Sequence, residues 1–86
     1  MKTDTYLDKT NQYIKTEYDR KTKTFESYVY PFTIIDKKTD LVSIDIAKGK
    51  LISKESGKPS QIEEFHKGCI FKLATLDSLE KLESLD

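Results

Sequence analysis

With a single cysteine, Cys69, this chain cannot close an internal disulfide. Small secreted domains with lean cores usually depend on such bridges, so a reducing, cytoplasmic setting is expected. Long apolar runs are missing too. No stretch approaches the roughly 20 residues a membrane span needs, and "MKTDTYLDKTNQY" does not read as a signal peptide. Net charge is absent as well, with 15 basic residues against 15 acidic. A neutral chain has no self-repulsion to keep it expanded. It also lacks the basic footprint of a dedicated duplex-DNA binder. Residues 37–58 are mildly basic and residues 59–86 mildly acidic.

What remains describes one small domain, residues 1–86, with residues 1–10 read as a loosely held terminus. A chain of this size buries roughly 60–65% of its unfolded surface. Leu, Ile, Val and Phe make up about a quarter of the residues, above the level at which disorder becomes the default.

The local signals are mainly those of turns. In "YDRKTKTF" (18–25) the Asp19 carboxylate can accept from backbone N–H groups just ahead of it, the usual start of a type I turn. Strand-favouring residues flank it: Thr16 and Tyr18 before, Thr24 and Phe25 after. Through Tyr18, Asp19, Thr22, Lys23, Thr24 and Phe25 this stretch resembles the C-terminal hairpin of the immunoglobulin-binding domains of streptococcal protein G. The resemblance spans eight residues. It implies a hairpin with a loop of about four to six residues and no function. The same order recurs in Asp36-Lys37-Lys38-Thr39-Asp40 and, as a fragment, in Asp8-Lys9-Thr10. Both read as turn punctuation in a meander.

Between the turns, "TFESYVYPFTIID" alternates. Tyr28, Tyr30, Phe32 and Ile34 fall on one face; Val29, Pro31, Thr33 and Ile35 fall on the other. Pro31 cannot donate to a ladder, so it marks an edge, a bulge or a break. "DLVSIDIA" alternates next, with Val42, Ile44 and Ile46 inward. Lys48-Gly49 turns into Lys50-Leu51-Ile52, and "SKESGKPS" reads as a loop. Ile62 and Phe65 suggest one helical turn or a short strand ended by Gly68, with a strand over Cys69–Ala74. "TLDSLEKLESLD" then reads as a helix over 75–86. Asp77 and Glu80 have capping-box spacing, and Leu76, Leu79, Leu82 and Leu85 recur every third residue. Such a helix must dock, on this chain's own sheet or on a second copy.

The expected fold is therefore α+β: a small antiparallel sheet of four or five strands in meander order, with the C-terminal helix packed on one face. A small SH3-like barrel is the alternative, because "FHKGCIFKLATLDSLEKL" is similar to such barrels in its turn, strand and helix order.

Catalytic and metal chemistry find little support. His66 and Cys69 form the one H-x-x-C pair. A nucleophilic pair needs contact and an orienting third group, and zinc would have to recruit Glu63 and Glu64. Cys69 reads as a small core residue and His66 as a surface one. The carboxylate pairs Glu63/Glu64 and Asp40/Asp45 read as solvated surface. "GKPSQ" and "AKGKLI" lack phosphate-loop spacing. No catalytic residue, cofactor or metal is assigned.

The best candidate surface is the aromatic face Tyr28, Tyr30 and Phe32, with Lys48 and Lys50 as partner-binding companions and Lys23, Lys37 and Lys38 alongside. Packing beneath the helix is the leading reading of that face, and a protein-binding face comes next. The chain as a whole reads as a non-enzymatic module that binds a protein partner, in the manner of a phage- or plasmid-type accessory protein or inhibitor that occupies a host protein. Single-stranded nucleic acid is the alternative, with the aromatics stacking bases and Lys48, Lys50 and Lys54 meeting phosphates. A homodimer is a third possibility, and no membrane association is expected.

Overall fold

Three hairpin loops of related sequence organise the sheet. The computed structural model describes the backbone of residues 1–84 and the side chains of residues 1–75. Strand β1 (Lys2–Leu7) turns at residues 8–11 into β2 (Gln12–Asp19), which turns at 20–23 into the long β3 (Thr24–Asp36); a third turn at 37–40 leads into β4 (Leu41–Ile44). Each loop ends on a residue with positive φ: Asn11, Lys23 and Asp40. In the second and third loops the leading aspartate accepts the expected backbone bond, Asp19 Oδ1 from Lys21 N–H at 2.8 Å and Asp36 Oδ1 from Lys38 N–H at 2.9 Å. The repeated Asp-basic-Lys-Thr order is thus turn chemistry, used wherever the chain must reverse.

After β4, a 3-10 turn (Ile46–Lys48) leads into β5 (Lys50–Ser56). The sheet is antiparallel and open, in the order β1-β2-β3-β4, with β5 also on β3. β4 pairs with the C-terminal half of β3 and β5 with its N-terminal half. Both lie on the edge of β3 opposite β2.

Pro31 explains why that edge is split. Its backbone points at β4, where its C=O accepts from Asp45 N–H at 3.0 Å, but it has no N–H to return. The facing chain leaves the ladder at Asp45 and rejoins it at Lys50. Ile46, expected inward, sits in this excursion and is 76% exposed.

The expected C-terminal helix is present, but it begins well before residue 75. Residues 62–74 are neither a lone turn nor a strand. One helix, α1, runs from Ile62 to Ser84, about 34 Å at 1.5 Å per residue. Gly68 does not end it. Asp77 and Glu80 lie inside it, far from its N-terminus, where a cap would act. A 3-10 turn at Pro59–Gln61 precedes it, and Gln61 Oε1 accepts from Lys58 N–H at 3.0 Å. Glu63 and Glu64 then stand where the helix dipole favours acids. The leucine series from Leu76 onward falls outside the described side chains. β5 also runs through Ser56, into the stretch read as loop, and residues 2–7 form an edge strand of the sheet.

The helix covers one face of the sheet. Tyr18, Phe25 and Ile62 form a buried cluster with Phe65 against it. Phe25 lies between Tyr18 (ring centroids 4.8 Å apart) and Phe65 (5.1 Å). Tyr18 Oη donates to Gly57 C=O at 2.9 Å, anchoring the connection into α1.

Of the three loop-ending residues, Lys23 has the least reason to hold φ of 55°, because asparagine and aspartate tolerate the left-handed region better. Lys23→Gly should raise stability by about 0.5–1 kcal/mol, relief of backbone strain outweighing glycine's greater chain entropy. Asn11→Gly should raise it less. Urea denaturation of the two variants measures the difference.

Candidate functional site

Strand register places the side chains in rows across each face. On the helix-bearing face one row is Thr3, Thr16, Ser27 and Ser53, a line of hydroxyls; the next is Thr5, Ile14, Val29 and Lys50. His66 comes down from α1 between these rows, meeting Thr16 of the first and Thr5 of the second.

His66 is 5% exposed, not the surface residue expected, and its bonding decides its tautomer. Thr16 Oγ1 donates to Ser27 Oγ at 2.9 Å. The same oxygen can then only accept from His66 Nδ1, at 2.7 Å. The ring proton is therefore on Nδ1, and Nε2 accepts from Thr5 Oγ1 at 2.8 Å. Ser27 continues the chain to Cys69, which is buried as expected. Burial pushes the Cys69 thiol up, with the Ser27 hydrogen bond offsetting part of the effect. A protonated, covered thiol is a poor nucleophile, and both imidazole nitrogens are occupied by threonines. This geometry gives the His–Cys pair the work of seating the helix. Among the described residues, no group of His, Cys, Asp and Glu is arranged to hold a metal ion, and no helix is long and apolar enough to cross a membrane.

The opposite face carries the aromatic candidates, so the leading sequence reading, that they pack beneath the helix, is corrected. The alternation of β3 puts Phe25 and Ser27 toward α1 and Tyr28 and Tyr30 away from it. Three rows cross this open face. The first is Lys2, Glu17, Glu26 and Lys54; the second Asp4, Lys15, Tyr28 and Leu51; the third Tyr6, Tyr13 and Tyr30. The rings form a connected ladder. Tyr6 and Tyr13 lie 4.7 Å apart, Tyr13 and Tyr30 6.1 Å, and Tyr28 and Tyr30 6.4 Å. Phe32, 4% exposed, packs edge-to-face with Tyr6, ring centroids 5.4 Å apart, and forms a floor rather than a contact surface. Beyond it, a groove of about 540 Å³ runs between Tyr6 and Asp8 on one side and Ile34, Val42, Lys37 and Asp40 on the other.

The polar groups of this face are largely engaged with one another. Lys15 pairs with Glu17 at 2.8 Å and Lys54 with Glu26 at 3.2 Å. Tyr28 Oη donates to Glu26 Oε2 at 3.0 Å and Tyr13 Oη to Asp4 Oδ2 at 2.8 Å. The Tyr28 and Lys54 hydrogen bonds hold Glu26 below the usual carboxylate range. Burial, then Asp4, pushes the Tyr13 hydroxyl well above the ordinary tyrosine value.

The two lysine candidates separate. Lys48 sits in the excursion beside the aromatic ladder and faces Asp45 at 3.8 Å. Gly49 next to it packs so closely on Tyr30 that a Cβ there would run into the ring. Lys50 stands opposite Val29, in a row of the helix-bearing face, away from Tyr28 and Tyr30. Sequence reading missed Tyr6 and Tyr13. The signal was available, since the Asp8-Lys9-Thr10 turn, folded as a hairpin, brings those two tyrosines together.

No protein-family model matches this chain, and neither does any curated protein or solved structure.

Burial lowers the His66 pKa from 6.5, with Asp4 and Glu63 pulling weakly the other way. The unfolded chain therefore binds the proton first, and stability should fall as pH drops below about 6.5 toward the depressed folded value. Urea titrations between pH 7.5 and 5 should show this decline. In His66→Gln the slope over that range should flatten, at a cost of about 1–3 kcal/mol at neutral pH from the disrupted hydrogen bonds.

Proposed function

We infer that this protein is a non-enzymatic binding module whose open sheet face docks on a protein partner. One observation supports this most: α1 covers the other face, leaving connected tyrosine rings on a surface whose charges are largely engaged with one another. Aromatic residues give large contact area at low entropic cost and are enriched where binding energy concentrates. The charge balance of the rows argues for protein over nucleic acid. Lys2, Lys15 and Lys54 are matched in number by Asp4, Glu17 and Glu26, so little field is left to attract phosphates.

Tyr28 and Tyr30 are the central contacts, Tyr6 and Tyr13 extend them, and Leu51 and Lys48 form the margin. Phe32 supports Tyr6 from below. Lys50 plays no part on this face. The finer reading is an accessory protein of phage or plasmid type that inhibits a cytoplasmic host protein by covering it. The turn-rich, lysine- and threonine-rich composition and the buried, unpaired cysteine support that reading.

The test is affinity capture from a lysate of the source cell, with and without nuclease. Wild type should retain one dominant protein, in roughly equal amount, through nuclease treatment and high salt. Tyr30→Ala should weaken capture by about 30-fold, as expected for a central tyrosine worth about 2 kcal/mol, with the circular dichroism spectrum unchanged. Gly49→Ala, which displaces the Tyr30 ring without altering its chemistry, should weaken capture in the same direction. Enrichment that disappears with nuclease or modest salt would transfer the face to single-stranded nucleic acid.

A further inference from the structure

The two edges of the sheet are not equivalent. The β4–β5 edge is interrupted over Asp45–Gly49, and Lys72 Nζ reaches the Ile52 C=O at 3.4 Å. The β1 edge is continuous over six residues and has neither a bulge nor a proline. Its backbone polarity follows from one hydrogen bond: Tyr18 N–H donates to Met1 C=O at 2.9 Å. Even-numbered residues of β2 therefore face β1 and are met by its odd-numbered residues. Alternation turns the N–H and C=O groups of Lys2, Asp4 and Tyr6 outward, where no described residue meets them. Such an edge is a template for another strand.

We propose that a second copy of this chain pairs antiparallel along β1, with the two-fold axis at Thr5. This extends beyond the partner-binding reading above and uses the backbone edge of β1, at the border of the tyrosine face. The register follows from charge. Centred on Thr5, Asp4 stands opposite Tyr6 of the second copy, and Lys2 opposite its Asp8. Lys2 and Asp8 are both exposed, and neither has an ion-pair partner among the described residues. Each thereby gains one from the other copy, twice over by symmetry. A register centred on Asp4 sets that carboxylate against itself, a like-charge opposition. One centred on Thr3 matches Lys2 to Asp4, which Tyr13 already engages at 2.8 Å, and leaves Tyr6 and Asp8 unpaired. The chosen register keeps both helices on one side of a continuous sheet and joins the two tyrosine faces on the other.

Sedimentation equilibrium from micromolar to millimolar protein tests this, with amide exchange followed by NMR over the same range. Wild type should approach twice its 10.0 kDa mass, and the Lys2, Asp4 and Tyr6 amides should gain protection as the dimer fills. Lys2→Asp or Asp8→Lys should each weaken the dimer by about tenfold or more, since two opposite-charge pairs become like-charge pairs. The double exchange Lys2→Asp with Asp8→Lys should restore it. A monomer throughout, or a dimer indifferent to both single changes and without protection at Lys2, Asp4 and Tyr6, would overturn the proposal. The exchange readout on wild type stands even if a variant misfolds.

Discussion

The seating of His66 on Thr5 and Thr16 is the contact on which the rest of the molecule depends. A helix crossing a small sheet through apolar contacts alone could slide, because dispersion and hydrophobic attraction have little directionality. Two hydrogen bonds from one ring to threonines on adjacent strands remove that freedom. The bonds continue through Ser27 to Cys69, so donors and acceptors run in order from β1 to β3 and back to the helix. Every buried side-chain nitrogen and oxygen among the described residues has a partner. This matters because an unpaired polar group in such a place would cost about 1–3 kcal/mol. The apolar cluster around Phe25 supplies attraction, and the hydroxyl row supplies position.

Once the helix is placed, the surface chemistry follows. A small sheet with one helix can cover only one face. The other must stay soluble while still packing its own side chains. Here it does so with tyrosines, whose rings contact one another and whose hydroxyls bond carboxylates, and with lysine–glutamate pairs. Pro31 adds a second constraint. By withholding one donor it splits the far edge into β4 and β5 and lets the intervening turn fold against Tyr30. One missing N–H thus both interrupts an edge and shapes the margin of the aromatic face.

Much of the sheet was legible because turn signals and alternation are local. The Asp-basic-Lys-Thr loops, the alternation of β3 and the irregularity at Pro31 all depend on neighbouring residues, and each led to the right kind of element. The helix was less legible. Gly68 and the β-branched, aromatic run around Ile70 and Phe71 lower helix propensity, and sheet packing overrides that preference through Ile62, Phe65, His66 and Cys69. Tyr6 and Tyr13 were overlooked because their significance arises only when β1 and β2 pair.

By itself, then, the sequence determined an antiparallel meander with one C-terminal helix, the positions of its reversals and the two-sided character of β3. It could not determine which side of β3 the helix would take, because each face offered apolar and aromatic residues at the same alternation. Tertiary structure decided that question through a long-range match: a histidine on the helix met hydroxyls on β1 and β2, brought into line only by strand register. That match buried Phe25 and Ser27, left Tyr28 and Tyr30 outside, and separated Lys50 from the aromatic residues it was expected to serve.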